Sequence, residues 1–471
     1  MIDARDVLRK HWGYDDFRGG QREIIDTILA GNDVMAIMPT GSGKSICYQI
    51  PAILSDGLTV VVSPLISLMH DQVIRLKKQH VQATYIDSTL EYDEIKKRLT
   101  SAARGEYTLL YLSPERLQTA LLQTVASALD VSILAIDEAH CVSKWGVDFR
   151  PEYYQIPKFI KLLKRRPTIA AFTATASLKT REDIAEHLEL NNPKTVVTGF
   201  ERENLTIQVE HVADKDEQRA IAQEFVWQHR RESGIVYCLT RKEVDAVSKQ
   251  LRTRGINCLP YHAGKTDAYR ETALKRFLSG DVPIIVATSA FGMGIDKPDI
   301  RFVLSLGMRD TLEDYYQNIG RAGRDGDTSD CLLLGTDNDI SLWKWLVKKS
   351  LEDSDLSALE QATELAHKEK ELEKVKRFCT TRQCRHQFIL DHFGERKKVA
   401  CAACDNCVDT QLLPSNGKAP KPSGDKVSAA EKRRIRRAAQ HAKPYYDDDE
   451  AKHVTKSGRV RRSYAERYGR G

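Results

Sequence analysis

Residues 38–51, MPTGSGKSICYQIP, follow a short apolar run, DVMAIM (33–38). A glycine-rich turn between a strand and a helix points backbone N–H groups at an anion, and the helix N-terminus adds partial positive charge. Thr40, Gly41, Ser42 and Gly43 would form that cradle. Lys44 would reach the β- and γ-phosphates of a nucleotide, and Ser45 would offer its hydroxyl to Mg²⁺. A second constellation, AIDEAH, closes the apolar run VSILAID (131–137). Asp137 would hold Mg²⁺ through water, and Glu138 would orient and deprotonate an attacking water. An acidic pair after a strand is, by itself, more often a solvated strand end; the phosphate loop upstream is what favours chemistry.

Three further groups carry chemistry. In QNIGRAGRDG (317–326), Arg321 and Arg324 are three residues apart and could neutralise charge on a transferring γ-phosphate across a cleft, with Gln317 beside them. Taken alone, such a pair is usually a helix-capping surface feature. Trp145, Phe149 and Arg150 follow the acidic pair closely and have the side chains that hold nucleic-acid bases and backbone, although both aromatics could equally pack under a sheet. Cys384, Cys401, Cys404 and Cys407 have the spacing C-x16-C-x2-C-x2-C. Four thiolates suit tetrahedral Zn²⁺ in a closed structural site. Cys379 is a spare candidate, and an iron–sulfur site is the alternative. The other cysteines, Cys47, Cys141, Cys238, Cys258 and Cys331, lie in strand or loop patterns and read as buried, inert thiols.

The elements that must position these groups alternate. DVMAIM, LTVVVS (58–63), YTLLYLS (107–113), VSILAID and TIAAFTAT (168–175) read as buried parallel strands, with helical patterns such as SLMHDQVIRLKKQH (67–80) between them. The pattern restarts with GIVYCL (234–239), INCLPYHA (256–263), PIIVATS (283–289) and RFVLSLG (301–307), which predicts two tandem α/β blocks joined near 199–207. Residues 340–394 read as helical, and from 412 onward periodicity is lost, which predicts disorder.

GYDDFRGGQREII (13–25), MPTGSGKS, VVSPLISLMHDQV, YLSPERL, IDEAHCVSKWGVDFRPEY, FTATA, YHAG, VATSAFGMGIDKPDIRFV and YYQNIGRAGRDG resemble, in order, the motifs of superfamily 2 helicases of the RecQ family, from about residue 10 to 411. The resemblance implies two RecA-like parallel-sheet domains, 1–200 (ATP-binding) and 201–345, then a helical zinc-binding module, 346–411, and a basic tail, 412–471. It implies ATP, Mg²⁺ and Zn²⁺ as cofactors, and Cys384 as the remote zinc ligand. Arg18 and Gln21 would read the adenine, Tyr14 would stack on it, Arg324 would be the arginine finger, and Arg321 would lie close to the γ-phosphate. Trp145, Phe149 and Arg150 match the aromatic-rich loop that contacts single-stranded DNA. The activity implied is a 3′-to-5′ DNA helicase of recombination and repair, monomeric on single-stranded and branched DNA. Three positions depart from the pattern or vary within it: Met38 for the first glycine of the phosphate loop, RGGQ (18–21) for RPGQ, and Asp296, where relatives carry Asn or Asp. An RNA-directed helicase and a non-catalytic DNA-binding adaptor are the competing readings.

Bulk properties set limits on this. The chain has 471 residues and a net charge of +6. Residues 412–471 hold 16 Lys and Arg against 7 Asp and Glu, so the excess sits in the tail. Tyr464 and Tyr468 among its arginines suggest a nucleic-acid or partner-binding arm for repair or replication proteins, or a nuclear address; a solubilising tail is the bland alternative. Many relatives continue into a winged-helix domain. The roughly 60 residues left here show no apolar core pattern, so weaker unwinding is expected. No apolar run approaches the roughly 20 residues of a membrane span, and the N-terminus lacks a signal-peptide core. An intracellular protein is expected, in cytoplasm or nucleoid if bacterial or viral and in the nucleus if eukaryotic.

Overall fold

The computed structural model describes residues 3–39, 41–143, 150–289, 291–292, 295, 297–352, 354, 357–395, 397–398 and 401–408. Thr40, Trp145, Phe149, Asp296 and the tail lie outside them.

Two parallel sheets form the frame. The first contains β1 (Val34–Ile37), β2 (Leu58–Val62), β3 (Ala83–Ile86), β4 (Leu109–Leu112), β5 (Val131–Ile136), β6 (Thr168–Thr173) and β7 (Lys194–Val197), in the order β3-β4-β2-β5-β6-β1-β7. The second contains β8 (Leu205–His211), β9 (Ser233–Cys238), β10 (Cys258–Tyr261), β11 (Ile284–Ala287), β12 (Ile300–Leu306) and β13 (Ser329–Gly335), in the order β10-β11-β9-β12-β13-β8. A parallel sheet is covered on both faces, so its inner strands are continuously apolar. β1, β2 and β4 are buried at every position. These are the strands that an apolar run predicts.

The strands that apolar runs do not mark are mostly edges. β7, KTVV, buries only Val196, and β8, LTIQVEH, mixes buried and half-exposed positions. An edge lacks a partner on one side and can carry polar side chains. β13 is different. It lies between β12 and β8 and carries a CLLL run, yet it is not among the strands expected from the sequence.

The predicted helical stretch resolves into Asp337–Glu352, Ala358–Thr380 and Arg385–His392. The first of these crosses the boundary expected at 345/346. Ser357 and Glu360 cap the second reciprocally, which fixes its start. Among the described residues, no helix is long and apolar enough to cross a membrane.

The linker between the sheets is tightly held. Phe200 is buried and stacks on Phe393 at 4.2 Å, with Tyr316 against both rings. The Phe200 N–H donates to the Glu395 carboxylate at 2.8 Å, and Arg181 donates to the Phe393 carbonyl at 2.9 Å. The cysteine module therefore touches the first block, the linker and the second block together.

Candidate nucleotide cleft and metal centre

Because every strand of the first sheet runs the same way, the loops after β1, β5 and β6 emerge at one edge, where α/β sheets bind ligands. The loop after β1 turns through Gly41 and Gly43, both left-handed at φ +85° and +83°. That geometry requires glycine in practice, and a Cβ at Gly43 would also fall 2.5 Å from the Gln21 amide. Helix Lys44–Leu54 starts directly after it. Gln21 Nε2 donates to the Ser42 and Gly43 carbonyls at 2.9 and 3.3 Å, and Arg18 donates to the Gly41 carbonyl at 3.3 Å. Both side chains thus brace the loop. The Arg18 guanidinium also lies 5.9 Å from the Tyr14 ring centre.

Asp137 and Glu138 follow β5. Glu138 has φ +47° and ψ +47°, a conformation that costs a non-glycine residue energy and is found where function demands it. Ser63 donates to Asp137 at 3.3 Å, and the Tyr153 hydroxyl donates to the Asp137 carbonyl at 2.8 Å. Burial, then the charge of Glu138, pushes the Asp137 carboxyl upward. Burial works against Glu138 too, but Lys44, His140, Arg321 and Arg324 outweigh it and hold its carboxyl below the ordinary range. The pair thus divides: one acid raised to about 6 and one held below the ordinary range.

These side chains line one cavity of about 620 Å³, which Tyr14, Arg18, Gln21, Gly41, Lys44 and Ser45 enter from the first block and Arg321 and Arg324 from the second. The Lys44 ammonium is buried and has no hydrogen-bond partner among the described residues. The Arg321 Nε is likewise buried without one. Both charges act on the Glu138 carboxylate, but these buried nitrogens have hydrogen-bonding capacity left over, and a phosphate between them would take it up. A nucleotide triphosphate with Mg²⁺ fits this site in charge, and Ser45 and Asp137 are the residues that would hold the metal. Arg324 lies along the loop: a Cβ at Gly41 would sit 3.2 Å from its Cγ.

Three residues to which the sequence assigned no role connect the two walls. His140 Nδ1 lies 2.9 Å from Thr173 Oγ1 and 3.4 Å from the Glu138 carboxylate. The Thr173 hydroxyl donates to the Thr175 carbonyl at 2.8 Å, so it accepts from His140. Gln317 then donates to Thr175 Oγ1 at 2.9 Å, from the helix Leu312–Ile319 of the second block. His140 is part of AIDEAH and the threonines part of FTATA, so motif positions were visible while their partnership was not. Gln49, Gln72 and Trp12 also line the cavity; the first two lie within motif stretches without an assigned role, and Trp12 lies outside them.

Arg150 stands apart from the cleft. It is partly exposed, its guanidinium 3.8 Å from Glu115, and its backbone N–H donates to the Cys141 carbonyl at 2.9 Å.

The cysteine module brings Cys384, Cys401, Cys404 and Cys407 together with all sulfurs within 4.8 Å of one another. Tetrahedral zinc with bonds of about 2.3 Å spaces sulfurs by roughly 3.8 Å, so the four fit that ion. Cys379 is not among them; it is buried, and burial pushes its thiol up to about 12. The five scattered cysteines are buried as well, with burial raising Cys47 and Cys258 to about 12. Around the cluster, Cys384 caps helix Arg385–His392, accepting from Gln387 N–H at 3.4 Å. Arg385 pairs with Asp405 at 2.9 Å, and Asp405 accepts from the Val209 N–H at 2.9 Å. The cysteine loop thereby extends the free edge of β8, through a bridge between Ile207 and Cys404.

Comparison with known proteins fits this architecture. The profile described as DEAD/DEAH box helicase matches residues 18–184, the Helicase conserved C-terminal domain matches 217–326, and RecQ zinc-binding matches 337–408. The chain is 43% identical over 409 residues to the ATP-dependent DNA helicase RecQ of Bacillus subtilis, covering 87% of this chain and 67% of that protein. It is 40% identical to the ATP-dependent DNA helicase RecQ of Pasteurella multocida, covering 86% and 62%. It is 36% identical to a putative ATP-dependent RNA helicase of Acanthamoeba polyphaga mimivirus, covering 85% and 71%. The chain thus spans about two thirds of the length of these relatives. Among solved structures, the DUF1998 helicase MrfA bound to DNA matches with a TM-score of 0.61 at 16% identity, over 75% of this chain and 54% of that one, a likeness of fold. With identity running through both sheets and the cysteine module, the chain belongs to the RecQ family of helicases.

Proposed function

We propose that this protein is an ATP-driven 3′-to-5′ DNA helicase, moving along single-stranded DNA and separating duplex or branched DNA ahead of it, as a monomer. The polarity comes from the family resemblance. The observation that carries the ATP half is the buried Lys44 ammonium, which makes no hydrogen bond among the described residues and faces Asp137 and Glu138 in a cavity whose other wall supplies Arg321 and Arg324. In this reading Lys44 and Arg321 grip the outer phosphates and Mg²⁺ screens the charge between them. Glu138, ionised, accepts the proton of the attacking water. Arg324 meets charge developing on the γ-phosphate. Binding draws the two blocks together, and hydrolysis with release lets them part, so the grip on the strand alternates. Trp145, Phe149 and Arg150 are the proposed strand contacts, and the basic tail a further one.

A second reading, an RNA-directed motor, is raised by the mimivirus relative, whose name gives RNA as its substrate. One experiment separates them: ATP turnover with single-stranded DNA or RNA, followed by unwinding of duplexes tailed on either strand. DNA-selective stimulation and opening of the 3′-tailed duplex alone are expected. Equal or greater stimulation by RNA would overturn the DNA reading, and opening of the 5′-tailed duplex the polarity.

A further inference from the structure

The turn that carries Arg321 and Arg324 follows helix Leu312–Ile319, and the last carbonyls of a helix have no partner within it. Here one side chain from the linker supplies several. Arg202 donates to the Gly320 carbonyl at 3.5 Å, to Ala322 at 2.7 Å and to Gly323 at 3.0 Å. Asn204 donates to Gly323 at 2.8 Å and to the Asp327 carbonyl at 2.9 Å, while its Oδ1 accepts from Arg202 at 3.3 Å. Gly323 is left-handed at φ +56°, and a Cβ there would come within 2.4 Å of the Asn204 amide. The turn is therefore moulded to this pair. On its other side, the Gly323 N–H donates to Ile300 of β12 at 2.9 Å, and Ser329 N–H of β13 donates to the Asn204 carbonyl at 2.9 Å.

We propose that Arg202 and Asn204 are positioning residues for the ATP reaction, clamping the 320–327 backbone so that Arg321 and Arg324 meet the phosphates in register. This rests on the reading of those arginines as phosphate ligands. The chemistry of the clamp is specific. A planar guanidinium can serve several carbonyls from one plane, which an ammonium cannot, and a cation at a helix C-terminus is favoured by the helix dipole. Neither clamp residue lines the cavity. Their effect must pass through the turn, and a misplacement of about 1 Å at a reacting group can cost on the order of 100-fold in rate. The anchor of the clamp is itself firm, because Phe200, two residues upstream, is locked by Phe393 and Glu395.

The test uses the full chain. Arg202→Ala, Asn204→Ala, Arg202→Lys, Arg324→Ala and the double variant Arg202→Ala/Arg324→Ala are compared for DNA-stimulated turnover and for affinity for a non-hydrolysable ATP analogue. Arg202→Ala should lower kcat about tenfold with analogue affinity within about twofold, because register and not binding is lost. Arg202→Lys should fall between it and the parent. The double variant should be slower than Arg324→Ala by clearly less than the Arg202→Ala factor, since part of the clamp's effect passes through Arg324 and only the part through Arg321 remains. A parental kcat for Arg202→Ala, or losses that multiply in the double variant, overturns the clamp. A parental kcat for Arg324→Ala overturns the arginine assignment instead, and the clamp's purpose with it. Should Arg202→Ala melt early or lose zinc, Asn204→Ala, which removes a smaller, partly exposed group, decides the matter by the same comparison of kcat with affinity.

Discussion

The nucleotide cleft and the cysteine cluster are built on opposite plans. The cleft collects side chains from residue 8 to residue 324, spans about 620 Å³, and leaves Lys44 and Arg321 with buried nitrogens that make no hydrogen bond among the described residues. The cluster collects four thiols from a stretch of 24 residues, 384–407, and sets every sulfur against the others. One site carries a charge imbalance that a ligand must correct and can then leave. The other has room only for an ion held permanently. Cost follows the same division: the cleft gives up stability to favour exchange, whereas the cluster converts ion binding into folding energy.

The sharpest way to break this contrast is Lys44→Ala. If the ammonium waits for phosphate and does nothing for the fold, its removal should lower ATP turnover by at least about 10³-fold, the lower end of what a phosphate-neutralising cation supplies. The melting temperature should hold, because the attraction of the ammonium to Glu138 is set against the cost of its own burial and it makes no hydrogen bond among the described residues. Steady-state kinetics and a thermal melt decide it. A clear fall in melting temperature would mean that the attraction to Glu138 outweighs the burial cost and that the cleft is not the strained site described.

Zinc removal tests the other side. Structural zinc contributes on the order of 10 kcal/mol of binding energy in small zinc peptides, so Cys404→Ser should give a module that melts separately and earlier than the two sheets. Affinity for the ATP analogue should stay within about threefold, since the phosphate loop is braced by Gln21 and Arg18 of its own block. Turnover should suffer more than affinity, because β8 and the linker that clamps the arginine turn are tied to the cysteine loop through Ile207 and Asp405. Calorimetry with an analogue titration measures both. Loss of nucleotide affinity alongside the module would show that the two sites are one cooperative unit.

The two regions also differ in how much of each could be read from the sequence. The cluster was fully legible, because its ligands are set by a short cysteine spacing and metal chemistry admits few alternatives. Cys379 was the ambiguity in the ligand set, and position removed it, since its sulfur is not among the four that converge; the iron–sulfur alternative gave way to the zinc-binding family match. In the cleft, Lys44, Asp137 and Glu138 were legible because each follows a continuously apolar strand that must end at the same sheet edge. What the sequence hid were ties between distant segments. Nothing local marks Thr175 as the acceptor for Gln317, 142 positions away, or Arg202 as the partner of carbonyls 118 to 121 positions on. Backbone carbonyls have no residue identity, so a side chain that serves them leaves no motif at the receiving end. The edge strands β7 and β8 were missed for a related reason: their signal is diluted by polar side chains that an edge tolerates.

The smallest expected effect concerns the hydrogen bond from Gln317, in the helix before the arginine turn, to Thr175 of the FTATA loop. Gln317→Ala removes a neutral donor, and such a bond contributes about 1 kcal/mol, so turnover should fall roughly fivefold. Thr175→Val removes the acceptor with little change of shape and should cost the same. If the bond acts as a pair, combining the two should cost no more than either alone, because each has already broken it. Multiplying losses would mean that Gln317 and Thr175 act separately, Gln317 on the nucleotide and Thr175 through Thr173 and His140 on Glu138. The cleft would then be joined by its ligand alone, with no direct bond of its own between this loop and helix.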